Sequence, residues 1–252
     1  MSLLLPLLFA ITAILYASVG FGGGSTYTAL LAVTGVDYAL IPIISLVCNI
    51  AVVAGSTIRY ARAGLVSLRT LAPALAVSMP MAWLGGQIAI SEQAFLGVLA
   101  AALLASGLVL LVRPPQLAET ATDPVRTGLL ALSGGVTGLL AGLVGIGGGI
   151  FLAPLLYMLR WGEEKRIAAA SSLFILLNSG AGLIGQFTKS GLDGIGQELW
   201  GYWILLPAVM LGGWLGNRLG ITVLSARRVR QGTAILVLLV AARIVWGLVS
   251  RG

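Results

Sequence analysis

Glycine runs interrupt two long apolar stretches at matching places in the two halves of this chain. The first run is Gly-Phe-Gly-Gly-Gly at 20–24, the second is Gly-Ile-Gly-Gly-Gly at 145–149, and a short apolar segment follows each of them. Consecutive glycines allow backbone angles that other residues avoid, and they let another group approach the backbone closely. In lipid, an unwound backbone is tolerated only where it is buried in protein or lines a cavity. Paired, glycine-broken apolar segments are therefore typical of a transporter's substrate site.

The residues that follow each glycine run are predicted to begin short helices. Ser25 and Thr26 begin the first helix, and Ile150 begins the second. Unpaired N–H groups and the positive end of the helix dipole favour anions at such a start. Two helix starts that enter from opposite faces would meet near the middle of a membrane and hold an anion there without a formal positive charge. The substrate-binding candidates from this pattern are Gly22, Gly23, Gly24, Ser25, Thr26, Gly147, Gly148, Gly149 and Ile150.

Both parts of this pattern have a structural alternative. Small residues are also common where membrane helices pack closely, which would explain the glycines without a substrate. Hydroxyl side chains such as those of Ser25 and Thr26 also suit the caps of helices.

Two asparagines lie near the midpoints of the apolar segments that follow the glycine-broken hairpins. Asn49 is in segment 38–58, Asn178 is in segment 167–187, and Ser45 lies one helical turn before Asn49 on the same face. An amide at that depth needs a partner, and hydrogen bonding between helices explains both asparagines about as well as substrate contact does. Because one asparagine occurs in each half, we assign Ser45, Asn49 and Asn178 to the substrate site.

Ser172 and Arg243 are weaker candidates, for the substrate pathway. Ser172 corresponds loosely to Ser45 in the second half. Arg243 is the basic residue that falls within an apolar segment, where it either faces an anion pathway or extends its guanidinium group to the membrane interface. The second explanation is favoured, because Arg243 lies past the middle of its segment.

Composition places the whole chain in a membrane. It has 252 residues, of which 58% are hydrophobic and 9% are charged, and its mean hydropathy is +1.03. So little charge cannot cover the surface of a soluble domain of this size, whereas apolar runs of about 18 to 25 residues can each cross a bilayer. We therefore expect an all-α integral membrane protein. The net charge of +7 lies mainly in short loops, which indicates orientation in the membrane and no nucleic-acid partner.

Missing residue types exclude several kinds of chemistry. There is no histidine, and Cys48 is the only cysteine, which removes the usual proton shuttle, internal disulfides and thiolate metal sites. All 8 acidic residues fall in loops or at segment ends, so no carboxylate is placed to bind a cation or relay a proton within a span. The pattern predicts no metal, no cofactor and no enzyme, and it suits an anion. Export of one negative charge from a negative interior is downhill by about 2.3 kcal/mol per 100 mV.

Two membrane repeats are predicted, residues 1–112 and 127–252, joined by a cytoplasmic linker at 113–126. Trp83-Leu-Gly85 in the first repeat corresponds to Trp214-Leu-Gly216 in the second. If each glycine run is the tip of a hairpin that enters and leaves from one side, each half adds three crossings and the second half is inverted. Most basic residues then lie on one face, as the positive-inside rule requires, and both termini lie outside the cytoplasm. The apolar segments run over 3–19, 25–36, 38–58, 70–90, 94–112, 127–144, 150–159, 167–187, 199–220 and 231–249.

The whole chain resembles the sulfite exporter TauE/SafE family of small permeases. The stretch Gly-Ile-Gly-Gly-Gly-Ile-Phe-Leu-Ala-Pro at 145–154 matches the family pattern closely, and the stretch at 16–28 keeps the glycines. The resemblance implies a bacterial-type inner membrane and a substrate such as sulfite, sulfoacetate, a taurine-related sulfonate or another small organic acid. The leading hypothesis is export of sulfite or an organosulfonate. A proton-coupled importer of a small organic acid is the alternative, and a membrane enzyme or assembly subunit has less support. The expected partners are the small anion and the lipid bilayer, and a homodimer is left open.

Overall fold

The computed structural model describes residues 4–111, 124–158, 164–190, 196–219 and 226–250, and this part of the chain forms helices without strands. The expected all-α fold is confirmed. The helices are α1 (Leu4–Ser18), α2 (Gly24–Val33), α3 (Ile41–Arg62), α4 (Leu68–Gln87), α5 (Glu92–Leu111), α6 (Pro124–Val144), α7 (Gly149–Met158), α8 (Glu164–Ser190), α9 (Gly196–Trp200), α10 (Leu205–Leu219) and α11 (Ala226–Val249).

The helices follow the apolar segments predicted from the sequence, apart from α9. That short helix and α10 together replace the predicted segment 199–220, with turn residues at 201–204 between them. The predicted linker at 113–126 lies outside the described residues, except for its last three, which begin α6. Within the described ranges, three stretches are long and apolar enough to cross a bilayer, Ile41–Arg62, Glu92–Val109 and Lys165–Lys189.

The outward surface of the helices is apolar, as a multi-pass membrane protein requires. Large hydrophobic side chains on several helices are well exposed, among them Leu132, Leu239 and Trp246. A soluble monomer rarely exposes so much contiguous apolar surface, whereas lipid accepts it at no cost. The buried core lies between the helices, where Phe9 and Tyr27 stack with ring centroids 4.6 Å apart.

Each glycine run breaks the chain between a long helix and a short one. Gly23 has φ 90° and Gly148 has φ 77°, in the left-handed region that strongly favours glycine. The helices that follow, α2 and α7, have 10 residues each. At 1.5 Å per residue they are about 15 Å long, about half the thickness of a bilayer's hydrocarbon core.

Each half packs one of its helices against helices of the other half. In the first half, α4 packs along α6 and α8 of the second half, and α10 of the second half packs along α1 and α3 of the first. Glycines make these contacts close, because a Cβ atom on Gly85 would collide with the Leu139 carbonyl, and one on Gly216 with the Ile14 carbonyl. The glycines that end the two matching Trp-Leu-Gly sequences therefore make equivalent contacts.

Contact registers fix the relative directions of the packed helices. Asn49 of α3 lies opposite Ser179 of α8, and Leu46 lies opposite Gly182, so these two helices run antiparallel. By contrast, α1 and α10 run parallel, because Ala10 meets Gly212 and Ile14 meets Gly216. Helices α4 and α6 run parallel in the same way, with successive glycines of α6 against successive turns of α4.

Candidate functional site

The two glycine loops touch each other in the interior of the protein. A Cβ atom on Gly24 would collide with the Ile146 carbonyl oxygen, and one on Gly147 would collide with the amide of Asn49. Both loops are buried. The structure therefore brings together the starts of α2 and α7, as expected from the sequence, and only glycine fits at their contact.

Two hydroxyl groups hold the loops together. The Ser45 Oγ lies 3.0 Å from the Gly24 carbonyl oxygen and 2.8 Å from the Gly145 carbonyl oxygen. The Thr28 hydroxyl donates in the same cluster, 2.9 Å from Ser45 Oγ and 2.9 Å from the Gly24 carbonyl. Carbonyls from both loops thus share two donors, and Ser45 serves as a link between the halves.

Asn49 is a second link between the halves. Its Oδ1 accepts a hydrogen bond from the Gly24 N–H at 3.2 Å, and its Nδ2 donates to Ser179 Oγ at 3.0 Å. Both ends of the amide are therefore used by the protein, so hydrogen bonding between helices accounts for Asn49. The side chain fixes the position of the first loop relative to α8.

Several backbone N–H groups of the two loops have no hydrogen-bond partner within the described ranges. The N–H groups of Thr26 and Tyr27 bond to the Gly23 carbonyl, and those of Phe151 and Leu152 bond to the Gly148 carbonyl. No acceptor among the described residues is bonded to the buried N–H groups of Gly22, Gly23, Ser25, Gly147, Gly148 and Gly149. A buried donor without an acceptor costs about 1–3 kcal/mol, so a cluster of them favours an acceptor-rich ligand.

The N-cap of α2 is Gly23, so neither Ser25 nor Thr26 occupies the capping position. Thr26 Oγ1 lies 2.9 Å from the hydroxyl of Tyr16. The Ser25 side chain is buried and makes no hydrogen bond within the described part of the chain. Of the two candidates, Ser25 is thus the one whose hydroxyl is available to a ligand.

The site is electrically neutral. Every buried polar side chain among the described residues is uncharged, and those residues contain no cluster that could hold a metal ion. The positive ends of the α2 and α7 dipoles, each equivalent to about half an elementary charge, are therefore the main local fields.

The remaining candidates lie elsewhere or are used within their own helices. Asn178 Nδ2 donates to the Phe174 carbonyl at 2.8 Å, and Ser172 Oγ donates to the Ala169 carbonyl at 2.9 Å. The Arg243 side chain is exposed on the outer surface of α11. Ile150 belongs to the first turn of α7, and its side chain is outside what the structure describes.

Sequence reasoning missed three residues beside the loops. Ile175, and not Asn178, packs against Gly147 and Gly149 in the second half, as Asn49 does against Gly22 and Gly24 in the first. Ser179 and Thr28 supply hydrogen bonds that link elements. The unequal Ser-to-Asn spacing in the two halves was the available signal that Asn178 is not the counterpart of Asn49.

Helical packing, an apolar outer surface and a neutral interior site define a multi-pass membrane transporter. The family model described as "Sulfite exporter TauE/SafE" matches residues 5–244. A relative from Sinorhizobium fredii named "Probable membrane transporter protein y4hK" is 31% identical over 254 residues, covering 96% of this chain and 97% of that protein. No solved structure matches the chain significantly. The chain belongs to the sulfite exporter TauE/SafE family, so the resemblance inferred from its motifs is confirmed, as is the expectation of a transporter and not an enzyme.

Proposed function

We propose that this protein exports a small anion, sulfite or an organosulfonate of the sulfoacetate type, and binds it at mid-membrane between the two glycine loops. The observation that carries the proposal is the group of buried, unpaired N–H donors at the starts of α2 and α7. Donors without nearby acceptors favour a ligand that brings several oxygen atoms.

The chemistry of a sulfonate or sulfite suits such a site. Its oxygens accept several hydrogen bonds at once, and its charge is matched by two helix starts worth together about one positive charge. Because no buried side chain in the described part is ionised, neither an acid nor a base competes with the substrate.

The proposal includes an inverted repeat. Helices α3 and α8 each follow a glycine loop, and their antiparallel contact through Asn49 and Ser179 supports opposite orientations of the two halves. Most basic residues then lie on the cytoplasmic face of an inner membrane, with both termini outside. Rocking of one half against the other would expose the loops alternately to each face.

Flux in proteoliposomes tests the function. Purified protein is reconstituted, and efflux of labelled sulfite or methanesulfonate is followed at several potassium-diffusion potentials, with protein-free liposomes as the control. We expect efflux that accelerates as the interior becomes more negative. Uptake driven by a pH gradient at zero potential would favour a proton-coupled importer of organic acids instead. Flux of a cation or neutral solute, with none of any small anion, would refute the proposal.

A further inference from the structure

A half-buried arginine lies at the end of α3, at the level where α10 also ends. Arg59 Nη1 donates to the Asn217 carbonyl oxygen at 2.9 Å, and its guanidinium lies 5.0 Å from the centre of the Tyr60 ring. The Nε–H group is buried and has no acceptor among the residues that the structure describes. Arg59 forms no ion pair with any carboxylate that the structure describes. Its charge is therefore partly removed from water without being neutralised.

Helix capping uses only part of the hydrogen-bonding capacity of Arg59. Asn217 lies in the last turn of α10, where carbonyl groups lack partners and carry the negative end of the dipole. The side chain of Asn217 is fixed separately, since its Oδ1 accepts a hydrogen bond from Ser56 Oγ at 3.0 Å. A guanidinium has five N–H donors in a planar fork, and the Asn217 carbonyl uses one of them.

Arg59 adjoins a residue that contacts the first glycine loop. The ring of its neighbour Tyr60 packs against Gly20, where a Cβ atom would come within 2.6 Å of the ring and its hydroxyl. Along α3, Arg59 is ten residues beyond Asn49, about 15 Å at 1.5 Å per residue. That distance is about half of the hydrocarbon thickness, so a loop at mid-membrane puts Arg59 at the membrane surface.

We propose that Arg59 forms a second anion-binding site, at the mouth of the pathway to the glycine loops. It rests on the proposed anion transport and extends it. The guanidinium binds two oxygens of a sulfonate or sulfite in a bidentate manner. No carboxylate of the described residues pairs with it, so its charge can attract the anion. A cation at a partly desolvated entrance raises the local concentration of the substrate. From there the anion passes Tyr60 and Gly20 to the loop donors.

Three variants of the full chain separate binding from capping. Arg59→Gln keeps an N–H donor for the Asn217 carbonyl but removes the charge, and Arg59→Lys keeps the charge but removes the planar fork. Arg62→Gln is the matched control, because Arg62 lies one turn further along the same helix and its side chain is exposed. Initial flux is measured against the concentration of labelled sulfite. Loss of a charged hydrogen bond predicts that Arg59→Gln raises KM about tenfold or more at an unchanged maximal rate, with Arg59→Lys between it and the wild type. Arg62→Gln should stay within about twofold, since exposed charges contribute little.

A binding measurement separates this proposal from the proposed transport. The melting temperature is recorded with sodium sulfite or methanesulfonate, against sodium chloride at equal ionic strength. Stabilisation by the anions in the wild type that is reduced in Arg59→Gln supports the site, even if no flux is seen. Equal KM values and equal anion-induced shifts in Arg59→Gln and Arg62→Gln would overturn it, and so would the absence of any shift in the wild type. If Arg59 serves only as a cap, its substitution will change the melting temperature without changing KM.

Discussion

Replacing Asn49 by aspartate tests whether the glycine loops bind an anion, because it changes charge with little change in shape. The carboxylate can still accept a hydrogen bond from the Gly24 N–H, now 3.2 Å from the amide oxygen. It can also accept one from the Ser179 hydroxyl, now 3.0 Å from the amide nitrogen. The first loop therefore keeps its position, and a negative charge appears beside the unpaired donors.

Repulsion between this carboxylate and a bound anion sets the size of the effect. Two unit charges about 6 Å apart, at an effective dielectric constant of about 20, repel by about 3 kcal/mol. That energy weakens binding by about 100-fold, since 1.4 kcal/mol corresponds to a factor of ten. We expect Asn49→Asp to bind and transport sulfonate poorly at neutral pH and to recover as the pH falls, because protonation removes the charge.

The assay is methanesulfonate flux over a range of pH, with the wild type and Asn49→Leu as controls. Leucine has a similar branched shape without the amide and leaves the Gly24 N–H and the Ser179 hydroxyl without their partner. It should therefore lower the melting temperature and show no recovery at low pH. A carboxylate beside a bound anion must weaken its binding. Wild-type affinity of Asn49→Asp at neutral pH would therefore show that the anion does not bind beside Asn49.

Three further substitutions examine the loops and their supports by melting temperature and flux. Thr28→Val removes a hydroxyl shared between the loops and should destabilise the protein by about 1–2 kcal/mol. Thr34→Val, at the exposed end of the same helix, should have less than half that effect. Equal effects would contradict a role of Thr28 in linking the loops. Gly148→Ala places a side chain at φ 77° and should lower the free energy of unfolding by about 1–3 kcal/mol. The control is Gly97→Ala in α5, where a Cβ atom meets no described atom within 4 Å, and it should be neutral or stabilising. A harmless Gly148→Ala would show that the bend needs no glycine. Tyr27→Phe removes a buried hydroxyl that has no hydrogen-bond partner in the described part of the chain. The melting temperature should therefore stay level or rise, and a clear fall would reveal a hydrogen bond in solution.

Sequence alone was sufficient for most of the helices and for the two glycine breaks, because run length and glycine clusters are local properties. The turn at 201–204 contains Tyr202, Trp203 and Ile204, which resemble the end of an apolar span, so the end of α9 and the whole of α10 were predicted as one segment. The proximity of the two loops was inferred correctly from their matching positions in the halves. Their supports could not be foreseen in the same way: Ser45 bonds to Gly145 and Asn49 bonds to Ser179, and such contacts depend on how distant helices pack. Ile175 was missed because the register of α8 differs from that of α3 relative to the preceding loop.

The packing of α4 and α10 against helices of the opposite half constrains the order in which this protein can assemble. Helix α1 is synthesised about 200 residues before the glycines that pack against it, Gly212 and Gly216. The early helices therefore enter the bilayer before the helices they pack against have been synthesised. An isolated first half would leave exposed the face of α4 that packs on α6 and α8.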